Sequence, residues 1–253
     1  MSDVSCNGFT DGSVQFTVSD FSSTYSYTIN AGTAVTGQSG ATINETSLAA
    51  GTYTIVVTDE VTGCTATTAV TVTEPANPLS IDSATATNVF CNEDTSQITV
   101  TASGGTPSYT YAAVVSGASA PLAGAYSSGN VVTVDTNSAT DLVWDVYVRD
   151  ANGCTETTTV TVTSDGLPTL NAVTPQCYEG SDLTFTLVGT VTVGTAEYSM
   201  GSGFQASPTF TVTGPGTYTF TIRDGNGCTA DQTLVVEPQV QLSAVLTLSL
   251  IHI

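Results

Sequence analysis

Three similar stretches decide the fold of this chain: Gly51-Thr-Tyr-Thr-Ile-Val-Val-Thr-Asp59, Leu142-Val-Trp-Asp-Val-Tyr-Val-Arg-Asp150 and Gly216-Thr-Tyr-Thr-Phe-Thr-Ile-Arg-Asp224. In each stretch an aromatic residue and two further apolar residues occupy alternate positions before the final Asp: Tyr53, Ile55 and Val57; Trp144, Val146 and Val148; Tyr218, Phe220 and Ile222. Alternation with period two is typical of a β-strand that buries one face. Each stretch therefore predicts a strand that turns its aromatic and aliphatic side chains into a core.

A turn, a Gly-Cys pair and a second alternating strand follow each of these strands. The turns of the second and third copies are Asn152-Gly153 and Asn226-Gly227, and Asn-Gly favours the positive φ angles of a hairpin turn. The apolar residues six and eight positions past the Cys keep the same register: Val70 and Val72, Val160 and Val162, Leu234 and Val236. We therefore predict that each repeat ends in a β-hairpin with one buried face.

Each repeat also begins with a cysteine before an alternating strand, and these first cysteines are Cys6, Cys91 and Cys177. Several short strands within such a spacing predict an all-β fold of three tandem immunoglobulin-like β-sandwich domains. We place the domains at residues 1–76, 77–167 and 168–239, followed by a tail at 240–253. The last six residues resemble the translation of a sequencing adapter, so we expect a fragment of a longer chain with an artefactual end.

Composition argues against several classes of function. The chain carries 22 acidic residues against two Arg, giving a net charge of −20, whereas nucleic acids and anionic membranes attract clustered Lys and Arg. No apolar run is long enough to span a bilayer, so we expect no membrane insertion. The one histidine, His252, lies in the tail, and Gly-x-Ser-x-Gly, His-Glu-x-x-His and phosphate-binding loop motifs are absent from the sequence. We therefore predict that the chain is not an enzyme.

The six cysteines fall two to a repeat, which predicts disulfides and an oxidising compartment. Sequence alone permits many connectivities, and the repeat symmetry favours one bond within each repeat. Buried reduced thiols are the alternative, and zinc is disfavoured because no Cys-x-x-Cys pair exists. The favoured pairs are Cys6–Cys64, Cys91–Cys154 and Cys177–Cys228.

Two sets of residues are candidates for ligand binding. Tyr109 and Tyr111, together with Tyr25 and Tyr27, could form a surface on which sugars stack, although such spacing also fits the buried face of a strand. The second set resembles half of a calcium loop, and no other cofactor is indicated. An Asp that accepts backbone N–H groups within a hairpin turn is the favoured alternative for this set. The candidate calcium ligands are Asp150, Asn152, Asp224 and Asn226.

Three motifs resemble the SprB-type repeat of bacterial gliding-motility and surface adhesins. They are Cys6-Asn7-Gly8 with Asp11-Gly12, then Gly104-Gly-Thr-Pro-Ser-Tyr-Thr-Tyr111, and the ending Gly-Thr-Tyr-Thr…Asp…Gly-Cys-Thr of the first and third repeats. The resemblance implies a large extracellular or cell-surface protein, exported by type IX secretion, that acts as an adhesin array or stalk. The implied partners are neighbouring repeats of the same chain and a surface polysaccharide or other cell-surface component. The alternative is a set of spacer or carbohydrate-binding modules within a large secreted hydrolase.

Overall fold

A computed structural model describes residues 1–91 and 93–239 of the chain. Within those ranges the only helix is a short 3₁₀ turn at Ala123–Ala125, and the regular structure is otherwise β-strand. The predicted tail at 240–253, with its adapter-like end, lies outside the described residues. Internal contacts divide the described residues into two compact units: one of residues 1–87, 97–134 and 141–162, the other of residues 88–91, 93–96, 135–140 and 163–239.

In the first unit, the first repeat forms two antiparallel sheets. One sheet pairs β1 with β4, and the other has the order β3-β2-β5-β6. Side chains that alternate along the strands fill the space between the sheets, where Tyr25 and Ile55 are almost fully buried. The strands are β1 (Gly12–Thr17), β2 (Tyr25–Ile29), β3 (Val35–Gln38), β4 (Thr42–Leu48), β5 (Gly51–Asp59) and β6 (Thr65–Val72).

The second repeat forms two sheets of three strands each. Their strands are β7 (Ser80–Ala86), β8 (Thr95–Ser103), β9 (Thr110–Val115), β10 (Val131–Asp135), β11 (Val143–Arg149) and β12 (Thr155–Thr161). The sheet orders are β10-β8-β7 and β12-β11-β9. Ile98, Val100, Val146 and Val148 are completely buried at the centre of this repeat. The first, second and fourth strands of this repeat thus share one sheet, and the third, fifth and sixth share the other. They correspond to strands A, B and E and strands C, F and G of an immunoglobulin sandwich.

The second unit contains the third repeat. Its sheet orders are β13-β16, β15-β18 and β14-β20-β19-β17. Phe220 and Ile222 of β19 are completely buried, and Phe185 of β15 and Tyr198 of β17 pack in the same core. The strands are β13 (Thr169–Leu170), β14 (Cys177–Tyr178), β15 (Leu183–Thr186), β16 (Gly189–Thr190), β17 (Glu197–Ser199), β18 (Thr209–Val212), β19 (Gly216–Arg223) and β20 (Thr229–Pro238).

The three predicted hairpins are present and share one register. The aromatic residue near the start of the first strand always pairs with the residue six positions past the turn cysteine: Tyr53 with Val70, Trp144 with Val160 and Tyr218 with Leu234. The all-β prediction is confirmed, because the period-two pattern places each apolar face toward a core and each Thr-rich face toward water.

The aromatic residue of each hairpin also makes a hydrogen bond that sequence reasoning missed. The Tyr53 hydroxyl donates to the Ala49 carbonyl, and the Tyr218 hydroxyl donates to the Gly214 carbonyl, each over 2.9 Å. Trp144 donates from Nε1 to the carbonyl three residues before it, over 3.0 Å. A tyrosine whose hydroxyl returns to the preceding backbone at a strand corner is a feature of immunoglobulin sandwiches.

Candidate functional site

The disulfides join different repeats. Cys6 bonds to Cys154 and Cys91 bonds to Cys228, with Cα–Cα distances of 5.8 and 5.1 Å. Cys64 and Cys177 are free and exposed. The predicted pairing within repeats is therefore wrong: each bond joins the first cysteine of one repeat to the second cysteine of the next.

The hairpin geometry explains why a repeat does not close on itself. In the first repeat the Val4 N–H donates to the Thr73 carbonyl, which places Cys6 beside the end of β6, whereas Cys64 directly precedes the start of that strand. Ten residues of strand span about 30 Å, while a disulfide needs Cα atoms within about 7 Å. The third repeat has the same arrangement, because Cys177 pairs with Glu237 near the end of β20.

The turn that carries Cys154 is organised by the Asp150 carboxylate. Oδ1 accepts the N–H groups of Asn152 and Cys154 at 3.0 and 2.9 Å, and Oδ2 accepts the Thr106 N–H at 2.8 Å. The Asn152 amide donates to the Ser5 carbonyl at 2.9 Å, next to Cys6. The turn of the second repeat therefore contacts the cysteine loop of the first repeat through a hydrogen bond as well as the disulfide.

The Gly104-Gly105 pair of the second motif allows this turn to pack closely. Both residues have positive φ angles, of 72° and 56°. A Cβ on Gly104 would lie 1.9 Å from the Pro78 carbonyl oxygen, and a Cβ on Gly105 would lie 2.5 Å from Oδ2 of Asp150. Side chains at these positions would displace the backbone that supplies the Thr106 N–H to Asp150.

The second unit repeats the turn with one difference. Asp224 Oδ1 accepts the N–H groups of Asn226 and Cys228 at 2.9 Å, and the Asn226 amide donates to Asp165 at 3.1 Å. The Gly225 N–H donates to the Val193 carbonyl, as the residue after Asp150 donates to Thr106. However, Asp224 Oδ2 is buried without a hydrogen-bond partner among the described residues.

The corresponding turn of the first repeat is organised by Asp59. Its carboxylate accepts the N–H groups of Val61, Thr62 and Ser22 at 2.8, 3.0 and 2.7 Å. The Thr62 N–H, followed by that of Ser22, holds the pKa of Asp59 well below its usual range, because these bonds stabilise the ionised form.

The candidate calcium ligands have structural contacts of their own. Asp150 and Asp224 accept backbone N–H groups, as the hairpin interpretation expects, and the two Asn amides donate to neighbouring segments. In the part of the chain that the structure describes, no group of three or more His, Cys, Asp or Glu side chains is placed to hold a metal ion.

The candidate sugar-stacking tyrosines are mostly buried. Tyr25 and Tyr27 belong to the core of the first repeat, and Tyr111 is only 7% exposed. Burial raises the pKa of the Tyr111 hydroxyl. Tyr109 is half-buried, and its hydroxyl donates to the Gly104 carbonyl at 2.6 Å. The four rings do not form one exposed surface.

The strand order, the shared hairpins and the tyrosine corners define a protein built from immunoglobulin-like repeats. In a comparison with family models, residues 1–34 and 83–112 match the SprB repeat. These two segments contain the Cys-Asn-Gly motif and the Gly-Gly-Thr-Pro motif, so the resemblance noted from the sequence is confirmed there.

Solved structures of immunoglobulin domains cover 90% of this chain at low similarity. Domains 3–5 of Drosophila OTK match with 12% identity and a TM-score of 0.33 over 92% of that chain, and the I9–I11 tandem of titin with 14% and 0.35 over 94%. Sidekick-1 immunoglobulin domains 1–4 match with 10% identity and a TM-score of 0.36 over 72% of that chain. A comparison with curated proteins found no match. No helix among the described residues has the length and apolar character needed to cross a membrane.

Proposed function

We propose that this chain is a non-catalytic stalk segment of a secreted or cell-surface protein, in which disulfides reinforce the connections between successive repeats. The observation that carries the proposal is the pairing of Cys6 with Cys154 and of Cys91 with Cys228. Disulfides persist in oxidising surroundings, which supports a location outside the cytoplasm.

The pairing limits how far the chain extends under tension. When the chain is reduced, a force between Cys6 and Cys228 acts on about 222 residues, or roughly 750 Å of extended backbone. When it is oxidised, the shortest covalent path runs from Cys6 to Cys154, back along about 63 residues to Cys91 and across to Cys228, or roughly 210 Å. A segment that keeps its length under load suits a stalk.

The tyrosine geometry also favours a stalk over a polysaccharide-binding module. A sugar-stacking surface requires exposed aromatic faces, whereas Tyr111 is buried and the Tyr109 hydroxyl is bonded to its own backbone. The Asp150 and Asp224 carboxylates of the two disulfide-bonded turns accept the backbone N–H groups of Cys154 and Cys228.

Single-molecule extension tests the proposal. The oxidised chain, held by its ends, should extend by roughly 540 Å less than the same chain after reduction and alkylation of its thiols. The Cys6→Ser variant provides a matched intermediate, because its shortest path from residue 6 to Cys228 contains about 85 residues, or roughly 290 Å. Equal extension of the oxidised and reduced chains would refute a load-bearing role. Saturable polysaccharide binding that Tyr109→Ala abolishes would replace the stalk by an adhesive function.

A further inference from the structure

Cys64 follows the hairpin turn of the first repeat, as the bonded turn cysteines Cys154 and Cys228 follow theirs, although its turn is one residue longer. In all three hairpin turns the N–H of the Asp that ends the first strand donates to the carbonyl of the cysteine. The distances are 2.9 Å for Asp59 and Cys64 and 3.0 Å for both Asp150 with Cys154 and Asp224 with Cys228. The turn of the first repeat therefore shares this backbone hydrogen bond with the turns that form a disulfide. It differs in that the Cys64 N–H donates to Thr62 Oγ1 and not to the Asp carboxylate, and the Cys64 thiol is free and exposed.

The exposed Cys177 is the first cysteine of its repeat, as the bonded loop cysteines Cys6 and Cys91 are of theirs. It lies on a short segment parallel to the end of the last strand, where Cys177 pairs with Glu237. Val89, two residues before Cys91, makes a parallel bridge with Ser164. Val4, two residues before Cys6, donates its N–H to the carbonyl of Thr73. Cys177 itself pairs with the last strand, whereas in the other two repeats the paired residue lies two positions before the cysteine.

The two observed disulfides follow one rule, in which a loop cysteine bonds to the turn cysteine of the repeat that follows it. A bond between Cys64 and Cys177 of the same chain would break this rule. The turn cysteine, Cys64, belongs to the first repeat, whereas the loop cysteine, Cys177, belongs to the third. We propose that both are connector cysteines: Cys177 bonds to the turn cysteine of another SprB-type repeat, and Cys64 bonds to the loop cysteine of another such repeat.

A second copy of this chain carries the required partner for each connector. A bond from Cys177 of one copy to Cys64 of another would again join a loop cysteine to a turn cysteine. The turn of the first repeat has Thr62 where the others have Asn152 and Asn226, so it lacks the amide that donates across the junction. Without that hydrogen bond, the contact between two copies depends on the covalent bond. The experiment must therefore detect the disulfide directly.

The bond forms by thiol–disulfide exchange with a small-molecule disulfide such as oxidised glutathione. The Cys177 thiolate attacks one glutathione sulfur and releases a glutathione thiolate, and the Cys64 thiolate of the other copy then attacks the mixed disulfide and releases the second. The two protein thiols lose two protons and two electrons, and the glutathione disulfide accepts both electrons to become two thiols.

The test mixes two single variants of the full chain, Cys64→Ser and Cys177→Ser, in a glutathione redox buffer. Each variant has one connector, so the proposed bond forms only in the mixture. Non-reducing electrophoresis and peptide mass spectrometry should show a heterodimer linked through Cys177 and Cys64, in about tenfold excess over either homodimer. The double variant should remain monomeric.

Random pairing, in which heterodimers only equal the two homodimers combined, would overturn the proposal. Glutathione adducts without heterodimer would overturn it too. The stalk proposal is tested separately, because the double variant retains both internal disulfides and should show the full difference in extension on reduction.

Discussion

Replacing Cys6 with Ser distinguishes the observed disulfide pairing from pairing within repeats. The bond from Cys6 to Cys154 closes a loop with a sequence separation of 148. In the chain-entropy description such a loop contributes up to about 5 kcal/mol to stability. Both cysteines lie in the first unit, so Cys6→Ser should lower the free energy of unfolding of that unit by a large part of this amount.

The single tryptophan makes this change measurable. Trp144 is 7% exposed in the core of the second repeat, within the first unit, so its fluorescence reports unfolding of that unit in guanidinium chloride. The Cys64→Ser variant is the matched control, because Cys64 is free and exposed and its replacement should leave the transition unchanged. Equal destabilisation by the two substitutions would instead indicate a bond between Cys6 and Cys64.

Trypsin provides an independent readout, because it cleaves after Lys and Arg, and Arg149 and Arg223 are the only such residues of the chain. With the observed pairing, non-reducing digestion of unfolded Cys6→Ser releases the fragment 150–223, which loses its one link to the rest of the chain. With pairing within repeats, Cys91–Cys154 and Cys177–Cys228 would keep all three fragments together. Retention of fragment 150–223 would therefore refute the pairing and the reasoning built on it.

Three further predictions concern the turns and the corner. Asp150→Asn should destabilise the first unit by about 1–3 kcal/mol, because the new amide group would face the Thr106 N–H donor. Asp224→Asn should destabilise the second unit by less, because Oδ2 of Asp224 has no hydrogen bond to lose. Chemical denaturation of the two variants measures both losses. Tyr218→Phe should cost about 1 kcal/mol through the lost hydroxyl bond, and a denaturation midpoint unchanged from wild type would contradict this role of the corner. The pKa of Asp59 is lower in the folded than in the unfolded state. The ionised carboxylate therefore contributes to the stability of the fold above about pH 4, and this contribution is lost as the pH falls through the folded pKa. Asp59→Asn should therefore be less stable than wild type at pH 7, and the difference in stability should become smaller in acid. Thermal melts at a series of pH values measure this difference, and a difference that stays constant with pH would contradict the prediction.

The site could be predicted from the sequence only in part. The hairpin interpretation of Asp150 and Asp224 followed from the local order Asp, Asn, Gly, and the structure supplies the expected backbone donors. The unpartnered oxygen of Asp224 could not be predicted, because it depends on a segment about 30 residues earlier in the chain. The burial of Tyr111 was one of two open interpretations of its spacing, and packing decided between them.

Local periodicity determined the β-hairpins and their buried faces, because whether a side chain points inward depends on the alternation of neighbouring residues along a strand. The SprB-type motifs were likewise readable as short runs, and the match at residues 1–34 and 83–112 confirms the two motifs that lie there, Cys-Asn-Gly and Gly-Gly-Thr-Pro. The disulfide partners were decided only by the tertiary structure. The repeat symmetry of the sequence favoured bonds within repeats, but the hairpin strands place the two cysteines of the first and third repeats at opposite ends. A covalent bond requires direct contact, so Cys6 and Cys91 bond to the turns that the fold brings beside them, those of Cys154 and Cys228.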